Sequence, residues 1–167
     1  LAKRLSFTTN INKAISTSDI IFICVGTPTR KGSIQVDLSF VYKCTKEILK
    51  YSKRKKIIVT KSTVPVGTGD EIEKILKKKK KLFTVISNPE FLREGEAIRD
   101  FRYPDRIVIG SNEKKTFNIM RKLYAPLTNK GAKFFATSRR GAELIKYASN
   151  AFLATKITFI NELANLC

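Results

Sequence analysis

The chain has 167 residues, of which 43% are hydrophobic; this is enough for a buried core and excludes a disordered chain. It has three cysteines and no histidine, which excludes a disulfide framework and the common zinc sites. Its net charge of +19 favours an anionic partner, either a nucleic acid or a small ligand. We expect a globular protein of a reducing, cytoplasmic compartment.

The apolar runs are too short to cross a bilayer, and no apolar signal region follows the first residues. The first residue is Leu1 rather than a methionine, and the last helical pattern reaches Cys167 without a stop signal. We therefore interpret the chain as an internal piece of a longer protein.

The lysines are scattered along the sequence, except for a block of lysines at 77–81. We predict that this block ends a helix, where cations interact favourably with the helix dipole. Aromatic residues do not alternate with these lysines, as they do in platforms that bind single-stranded nucleic acid. We favour a solvated lysine-rich surface, and a basic nucleic-acid-binding module stays open as an alternative.

Apolar runs, small polar loops and helical patterns alternate along the chain, which is typical of parallel strands with right-handed crossovers. In chain order, the predicted elements are a helical turn at 12–15, a strand at 19–25, a helix at 38–51 capped by Asp37, a strand at 57–60, a helix at 70–79, a strand at 82–86, a short helix from Pro89 capped by Asn88, a strand at 106–110, a helix from a cap at Ser111 or Asn112 to about Tyr124, a strand at 132–136, and a long helix from a cap at Thr137 or Ser138 to the end.

The predicted fold is α/β, a doubly wound Rossmann-like sheet followed by a long inter-domain helix. The sequence lacks a glycine fingerprint of the G-x-G-x-x-G type, so we expect the first strand of such a sheet to be missing as well. Residues 1–136 would form the later part of the Rossmann-like domain, and residues 137–167 would begin a helical domain. Cys24, in a predicted strand, and Cys44, in a predicted helix, are interpreted as core thiols.

Two predicted elements carry pairs of polar side chains that suit chemistry. A helix starting at Pro89 would place Glu90 and Glu94 on one face, just past the carboxyl end of a strand, where α/β sheets bind ligands. Lys146 and Asn150 would share a face of the long helix, where a cation and an amide could hold a developing alkoxide and a carbonyl. The alternatives are solvated acids in an ordinary loop and a surface lysine on a helix flank.

Thr27 and Thr63 each follow a predicted parallel strand, within a loop broken by glycine or proline. Adjacent strand ends of this kind can form one nucleotide-binding rim, with the hydroxyl groups directed at phosphate or ribose oxygens. Ordinary turn chemistry is the alternative, and for these residues taken alone it is the better interpretation.

Five motifs in order carry a resemblance that covers essentially the whole chain. They are Val25-Gly26-Thr27-Pro28, the run from Lys61 to Thr68, the run from Asn88 to Gly95, Pro104-Asp105-Arg106, and the run from Glu143 to Lys156. Together they resemble the UDP-glucose/GDP-mannose dehydrogenase family. The stretch 90–95 is most similar to the UDP-glucose 6-dehydrogenase branch, and GDP-mannose dehydrogenase is the alternative.

The resemblance implies NAD-dependent oxidation of the C6 alcohol of UDP-glucose to the carboxylate through a cysteine thioester. It implies Glu90 as general acid/base, Lys146 as the group that stabilises the oxyanion, Asn150 as its assistant, and Thr63 as a residue that positions the catalytic water. The implied NAD-binding residues are Val25, Gly26, Thr27, Pro28, Thr29, Ser62, Thr63, Val64 and Glu94. The implied substrate-binding residues are Glu90, Phe91, Leu92, Arg93, Glu94, Lys146 and Asn150.

The resemblance also shows what this sequence lacks. In the family the nucleophilic cysteine follows the long helix in a glycine-rich loop, whereas Cys167 matches the end of that helix. We therefore expect the chain to have no oxidoreductase activity alone, because the covalent intermediate requires that nucleophile. The family's long helix implies a homodimer, and a non-catalytic remnant of the enzyme is the remaining alternative.

Overall fold

The computed structural model describes residues 4–30 and 32–167, with the backbone alone for Lys78, Lys80 and Lys81. Within this part of the chain, one sheet of five strands packs against helices on both faces. The elements are α1 Ile11–Thr17, β1 Ile20–Ile23, α2 Ser39–Tyr51, β2 Lys56–Thr60, α3 Thr68–Leu76, a 3-10 segment Lys77–Leu82, β3 Phe83–Ser87, α4 Ala97–Arg102, β4 Arg106–Ser111, α5 Lys114–Thr128, β5 Lys133–Thr137 and α6 Arg139–Ala164.

The strands lie in the order β1-β2-β3-β4-β5, and the α/β class with its doubly wound sheet and long last helix is confirmed. The expectation of uniformly parallel strands is wrong at one place, since β3 and β4 pair antiparallel. The segment between them contains only the short helix α4, which cannot carry the chain back along the face of the sheet as a parallel crossover would.

The register at this reversal brings several strand ends together. Thr60 at the end of β2 pairs with Ser87 at the end of β3. Ser87 pairs in turn with Gly110 near the end of β4, and Gly110 pairs with Thr137 at the end of β5. The carboxyl ends of these four strands therefore lie at one level of the sheet, although the loops after β2 and β3 leave it in one direction and those after β4 and β5 in the other. In open α/β sheets ligands bind beyond the carboxyl ends of the parallel strands, which here are β1, β2 and β3.

The core consists of two apolar clusters on opposite faces of the sheet. Consecutive residues of β2 supply both of them, because side chains alternate across a strand: Ile58 faces α2 and α3, and Val59 faces α5. This burial on two faces explains the continuous apolar run of β2. β1 pairs with β2 alone among the described strands and is only half-buried along most of its length.

Three local predictions need correction, for Cys24, for helix α2 and for helix α5. Cys24 is exposed rather than a core thiol, because β1 ends at Ile23, whereas Cys44 packs against the core. Helix α2 begins at Ser39, although the Asp37 carboxylate does accept the N–H of Ser39, a contact that lowers the pKa of Asp37. Helix α5 begins at Lys114, later than its predicted caps, and continues to Thr128.

The lysine block does not extend helix α3 as predicted. The helix ends at Leu76, and Lys77–Leu82 forms a 3-10 segment with a non-helical residue at Lys79. Repulsion among like charges on successive turns disfavours continued α-helix here. No helix in the described part of the chain has the length and apolar character needed to span a membrane.

Candidate active site

An ion pair lies at the meeting point of the strand ends, and it joins two residues that the sequence singles out. The Lys146 ammonium on α6 lies 3.1 Å from a carboxylate oxygen of Glu90, three residues after β3. Lys146 is only 6% exposed, whereas the Glu90 side chain keeps about a third of its surface in contact with solvent. A buried cation therefore faces a carboxylate that solvent, and a ligand, can reach.

Glu90 lies in a loop, so the predicted helix starting at Pro89 is wrong. Residues 88–93 are irregular, a turn follows at 94–96, and α4 begins only at Ala97. Glu94 is exposed in that turn and does not share a helix face with Glu90. The second oxygen of the Glu90 carboxylate accepts the backbone N–H of Leu92 at 2.5 Å, which orients the side chain.

Asn88 has a different role from the predicted helix cap. Its side-chain amide donates to the carbonyl of Val108 at 3.0 Å, and its side-chain oxygen accepts the hydroxyl of Tyr124 at 2.5 Å. All three groups are buried in or beside β4 and α5, and burial raises the pKa of Tyr124 to about 12. This network holds the start of the Glu90 loop against the sheet.

Removal of the Tyr124 hydroxyl will test that network. We expect Tyr124→Phe to lower the free energy of unfolding of the chain by about 2 kcal/mol, because the buried oxygen of Asn88 loses its donor. Urea denaturation measures the effect, and Tyr103→Phe is the matched control because Tyr103 is 65% exposed. Equal stability of the two variants would mean that the Tyr124–Asn88 bond does not hold this loop.

The ring of Phe91 forms part of the wall around the Lys146 ammonium. The guanidinium of Arg106 lies 4.3 Å from the centre of the ring, and the ammonium of Lys146 lies 5.5 Å from it. Cations interact favourably with the faces of aromatic rings. Phe91 therefore adds a second contact that favours a cation at the position of Lys146.

The loops that follow β1 and β2 form one continuous rim. The hydroxyl of Thr27 donates to the carbonyl of Thr63 at 2.9 Å, and the hydroxyl of Ser62 donates to the carbonyl of Val25 at 2.6 Å. These hydroxyl hydrogens bind protein oxygens in the structure rather than a ligand, and the hydroxyl oxygens keep lone pairs that can accept a hydrogen bond. Gly26 is exposed and has open space where a side chain would begin, which leaves its backbone accessible to a ligand.

Lys61 is a residue of this site that sequence reasoning missed. It is the first residue after β2, and it lines a cavity of about 470 Å³ together with Asn88, Glu90 and Tyr124. Burial lowers the pKa of Lys61, and nearby Cys24 and Glu90 partly offset this effect. The sequence offered one signal for a role of Lys61, namely its place at the start of the motif from Lys61 to Thr68. Without the fold, however, a lysine at a strand end cannot be distinguished from a surface lysine.

Three predicted site residues lie away from the ion pair or have other partners. Asn150, one turn beyond Lys146, is exposed, and so is Glu94. Arg93 is exposed and forms an ion pair with Asp100 at 2.7 Å, a contact that lowers the pKa of Asp100 to about 2. Along α6, the buried residues lie between Arg139 and Lys146, whereas residues 151–167 are all exposed.

Comparison with known sequences decides the family. Residues 1–128 match the profile of the UDP-glucose/GDP-mannose dehydrogenase family, NAD binding domain, and residues 140–167 match the central domain of the same family. The chain belongs to the UDP-glucose/GDP-mannose dehydrogenase family. The predicted domain boundary between residues 136 and 137 lies in the gap between the two matches, and it stays a prediction.

Individual members of the UDP-glucose/GDP-mannose dehydrogenase family agree with the match. A UDP-glucose 6-dehydrogenase of Rhizobium meliloti is 52% identical over 168 residues, which cover 98% of this chain and 38% of that protein. One of Bacillus subtilis is 49% identical, over all of this chain and 36% of that protein. The chain thus spans well under half the length of these relatives.

Solved structures of the UDP-glucose/GDP-mannose dehydrogenase family share this fold closely. A UDP-glucose dehydrogenase of Pyrobaculum islandicum superimposes with a TM-score of 0.88 at 38% identity, over 97% of this chain and 38% of that chain. A GDP-mannose dehydrogenase of Pseudomonas aeruginosa gives the same TM-score at 35% identity, over 96% and 38% of the two chains. Overall fold therefore does not separate the two substrates.

Proposed function

We propose that this chain supplies the NAD-binding rim and part of the catalytic centre of an enzyme that oxidises UDP-glucose to UDP-glucuronate. The observation that carries the proposal is the ion pair between buried Lys146 and Glu90 at 3.1 Å, at the edge of a domain that matches the family's NAD-binding domain. The curated relatives named UDP-glucose 6-dehydrogenase favour that substrate over GDP-mannose.

Lys146 would stabilise negative charge on the C6 oxygen of the sugar as hydride leaves the carbon. A positive charge that is fixed in place before the reaction stabilises such charge strongly where little water is present. The burial of Lys146 and its contacts with Glu90 and Phe91 support this assignment, because they fix the ammonium position. Asn150, one turn later on α6, would assist from the same helix.

Glu90 would act as the general acid/base, because its carboxylate combines a fixed orientation with access to solvent. It would accept a proton from the water that hydrolyses the thioester, and Thr63 would help to orient that water. Phe91, Leu92, Arg93 and Glu94, in the same loop, would contact the sugar nucleotide.

The rim formed by the loops after β1 and β2 fits a dinucleotide. Gly26 leaves room for a ligand to approach the backbone closely. The hydroxyls of Thr27 and Ser62 each donate to a backbone carbonyl of the neighbouring loop, and their oxygens could accept hydrogen bonds from ribose hydroxyls. Residues Val25, Pro28, Thr29, Val64 and Glu94 complete the proposed NAD contacts. NAD, when bound there, supplies a hydride acceptor.

We further propose that the second half of α6 forms a homodimer interface in a cytoplasmic enzyme. Its exposed apolar side chains, Phe152, Leu153, Ile157, Phe159, Ile160 and Leu163, support association. The free thiols of Cys24, Cys44 and Cys167 are compatible with a reducing compartment. Residues 137–167 would then belong to the central domain, in line with the profile match from residue 140.

A segment exchange tests the proposal directly. The matching region of the Rhizobium meliloti enzyme is replaced by this chain, and NADH formation is measured with UDP-glucose and, separately, with GDP-mannose. We expect turnover of UDP-glucose, because the two segments are 52% identical over 98% of this chain. An exchanged enzyme that folds and binds NAD but oxidises neither sugar nucleotide would contradict the proposal, and preference for GDP-mannose would overturn the substrate assignment.

A further inference from the structure

The buried positions of α6 form a single stripe, and Lys146 lies at the end of it. The stripe consists of Arg139, Ala142, Glu143 and Lys146, which are spaced three and four residues apart on one face of the helix. Every residue from 151 onward is exposed. Beyond the contacts of Lys146 itself with Glu90 and Phe91, the buried residues that attach this helix to the domain precede Lys146 on the stripe.

The first two members of the stripe attach the start of α6 to the domain. The Arg139 guanidinium forms ion pairs with Asp70 and Glu73 of α3. Ala142 packs against Gly110 of β4, so closely that a side-chain carbon on Gly110 would lie 2.6 Å from the β-carbon of Ala142. These contacts fix the first turn of the helix, while Lys146 lies one to two turns further along.

Glu143 is the last attachment before Lys146, and the reaction assigned above does not use it. Its carboxylate is buried, with 2% of the residue exposed, and each of its oxygens accepts one backbone N–H. The donors are Gly67 at 2.7 Å and Gly69 at 2.8 Å, at the start of α3. The first N–H groups of a helix have no partner within the helix, and the helix dipole favours an anion there.

The hydrogen bond from Gly67 connects α6 to the cofactor loop, which we define as residues 62–67, and the one from Gly69 connects it to the first turn of α3. This loop runs from Ser62 and Thr63, on the proposed NAD rim, to Gly67, whose φ of +96° is a conformation that glycine adopts without strain. The Glu143 carboxylate thus binds the end of the cofactor loop, while Lys146 contacts Glu90 one turn further along the same helix.

We propose that Glu143 is a positioning residue, whose buried carboxylate joins the cofactor loop to α6 and thereby holds the Lys146 ammonium at its contact with Glu90. The importance of that contact for catalysis rests on the proposed function, but the coupling itself does not. It can therefore be measured without substrate, cofactor or turnover.

The first experiment compares Glu143→Gln with the unaltered chain by the rate at which a lysine-modifying reagent labels Lys146, followed by mass spectrometry. Glutamine keeps the volume but offers a single oxygen, so one N–H of the start of α3 loses its acceptor. We expect labelling of Lys146 to become about tenfold faster, the scale of one buried hydrogen bond to a charged group.

Two controls separate this effect from general loosening of the fold. Lys56 is also buried and donates to the carbonyl of Ser18 at the far end of the sheet, so its labelling should not change. Arg140→Gln removes an exposed ion pair to Asp70 on the same helix turn and should leave Lys146 protected. Unchanged labelling of Lys146 in Glu143→Gln, with faster amide exchange at Gly67 and Gly69, would overturn the proposal.

A second experiment uses the unaltered chain and does not depend on any variant folding. Hydrogen exchange should give the amides of Gly67, Gly69 and Lys146 a common free energy of opening, because the proposal makes them one cooperative unit. Clearly different opening free energies for the loop end and for Lys146 would overturn it.

The exchanged enzyme supplies the kinetic readout. There Glu143→Gln should lower kcat more than it changes KM for NAD, and Glu143→Asp, which keeps the charge, should restore part of the loss. If the segment-exchanged enzyme without further substitutions has no activity, that result counts against the proposed function alone. The lysine-labelling and hydrogen-exchange results do not depend on it.

Discussion

Replacement of Lys146 by methionine is expected to lower kcat about a thousandfold in the enzyme that carries this segment, the scale reported for loss of one preorganised group that stabilises an oxyanion. Methionine fills a similar volume without a charge, so the substitution removes the cation, together with its contact with the Phe91 ring, and avoids leaving a cavity. Because the effect arises in the transition state, kcat and kcat/KM for UDP-glucose should fall together.

Lys156→Met is the matched control for this experiment. Lys156 lies on the same helix, but in its exposed second half, where its ammonium lies 5.6 Å from the centre of the Phe152 ring. That variant should keep near-normal kcat. If Lys146→Met retained activity within about tenfold of the parent, the oxyanion role of Lys146 would be wrong, because one such group contributes more than this.

The sequence predicts those features of the fold and site that depend on local signals. The Ser138 hydroxyl accepts the N–H of Gly141, as a helix N-cap at one of the two predicted positions should. The apolar runs of β2 and β3 locate two strands to within one residue of their observed bounds, and Glu90 follows one of them at the expected strand end. The helical period also placed Lys146 and Asn150 on one face of the long helix, but only Lys146 of the two is buried.

Long-range partners explain most of the failures. Asn88 followed by Pro89 has the local signature of a capped helix, yet the Asn88 side chain bonds Tyr124, which lies 36 residues later in the chain. That partner competes with the capping role, and a local pattern contains no information about it. The antiparallel pairing of β4 was missed for a related reason, since its apolar run is compatible with either direction.

The same limitation hid Glu143 and Lys61 as structural members of the site. A glutamate near the start of a long helix is usually solvated. Glu143 lies 76 residues after Gly67 in the sequence, and only the fold brings the start of α3 next to it. The five ordered motifs included both residues without assigning either a role. Motif resemblance therefore pointed to the candidate site, whereas the contacts that support it became visible only in the structure.

Gly110 is the residue at which we expect the largest loss of stability from a single small change. Its position on β4 lies directly under the start of α6, and a β-carbon there would lie 2.7 Å from the carbonyl oxygen of Ser138 and 2.8 Å from the α-carbon of Arg139. Both are backbone atoms, which cannot move aside as a flexible side chain can. We expect Gly110→Ala to lower the free energy of unfolding by about 3 kcal/mol, the upper range for overpacking.

Urea denaturation of the chain measures this loss, and Gly26→Ala is its control, since a β-carbon at Gly26 meets open space. Alanine at that position should leave stability unchanged or raise it slightly, because it restricts the unfolded chain. Displacement of α6 from β4 should also carry Lys146 away from Glu90, so Gly110→Ala should expose Lys146 to the labelling reagent. If Gly110→Ala were as stable as Gly26→Ala, α6 could not rest on β4 at this distance, and the attachment of α6 to the sheet would be wrong.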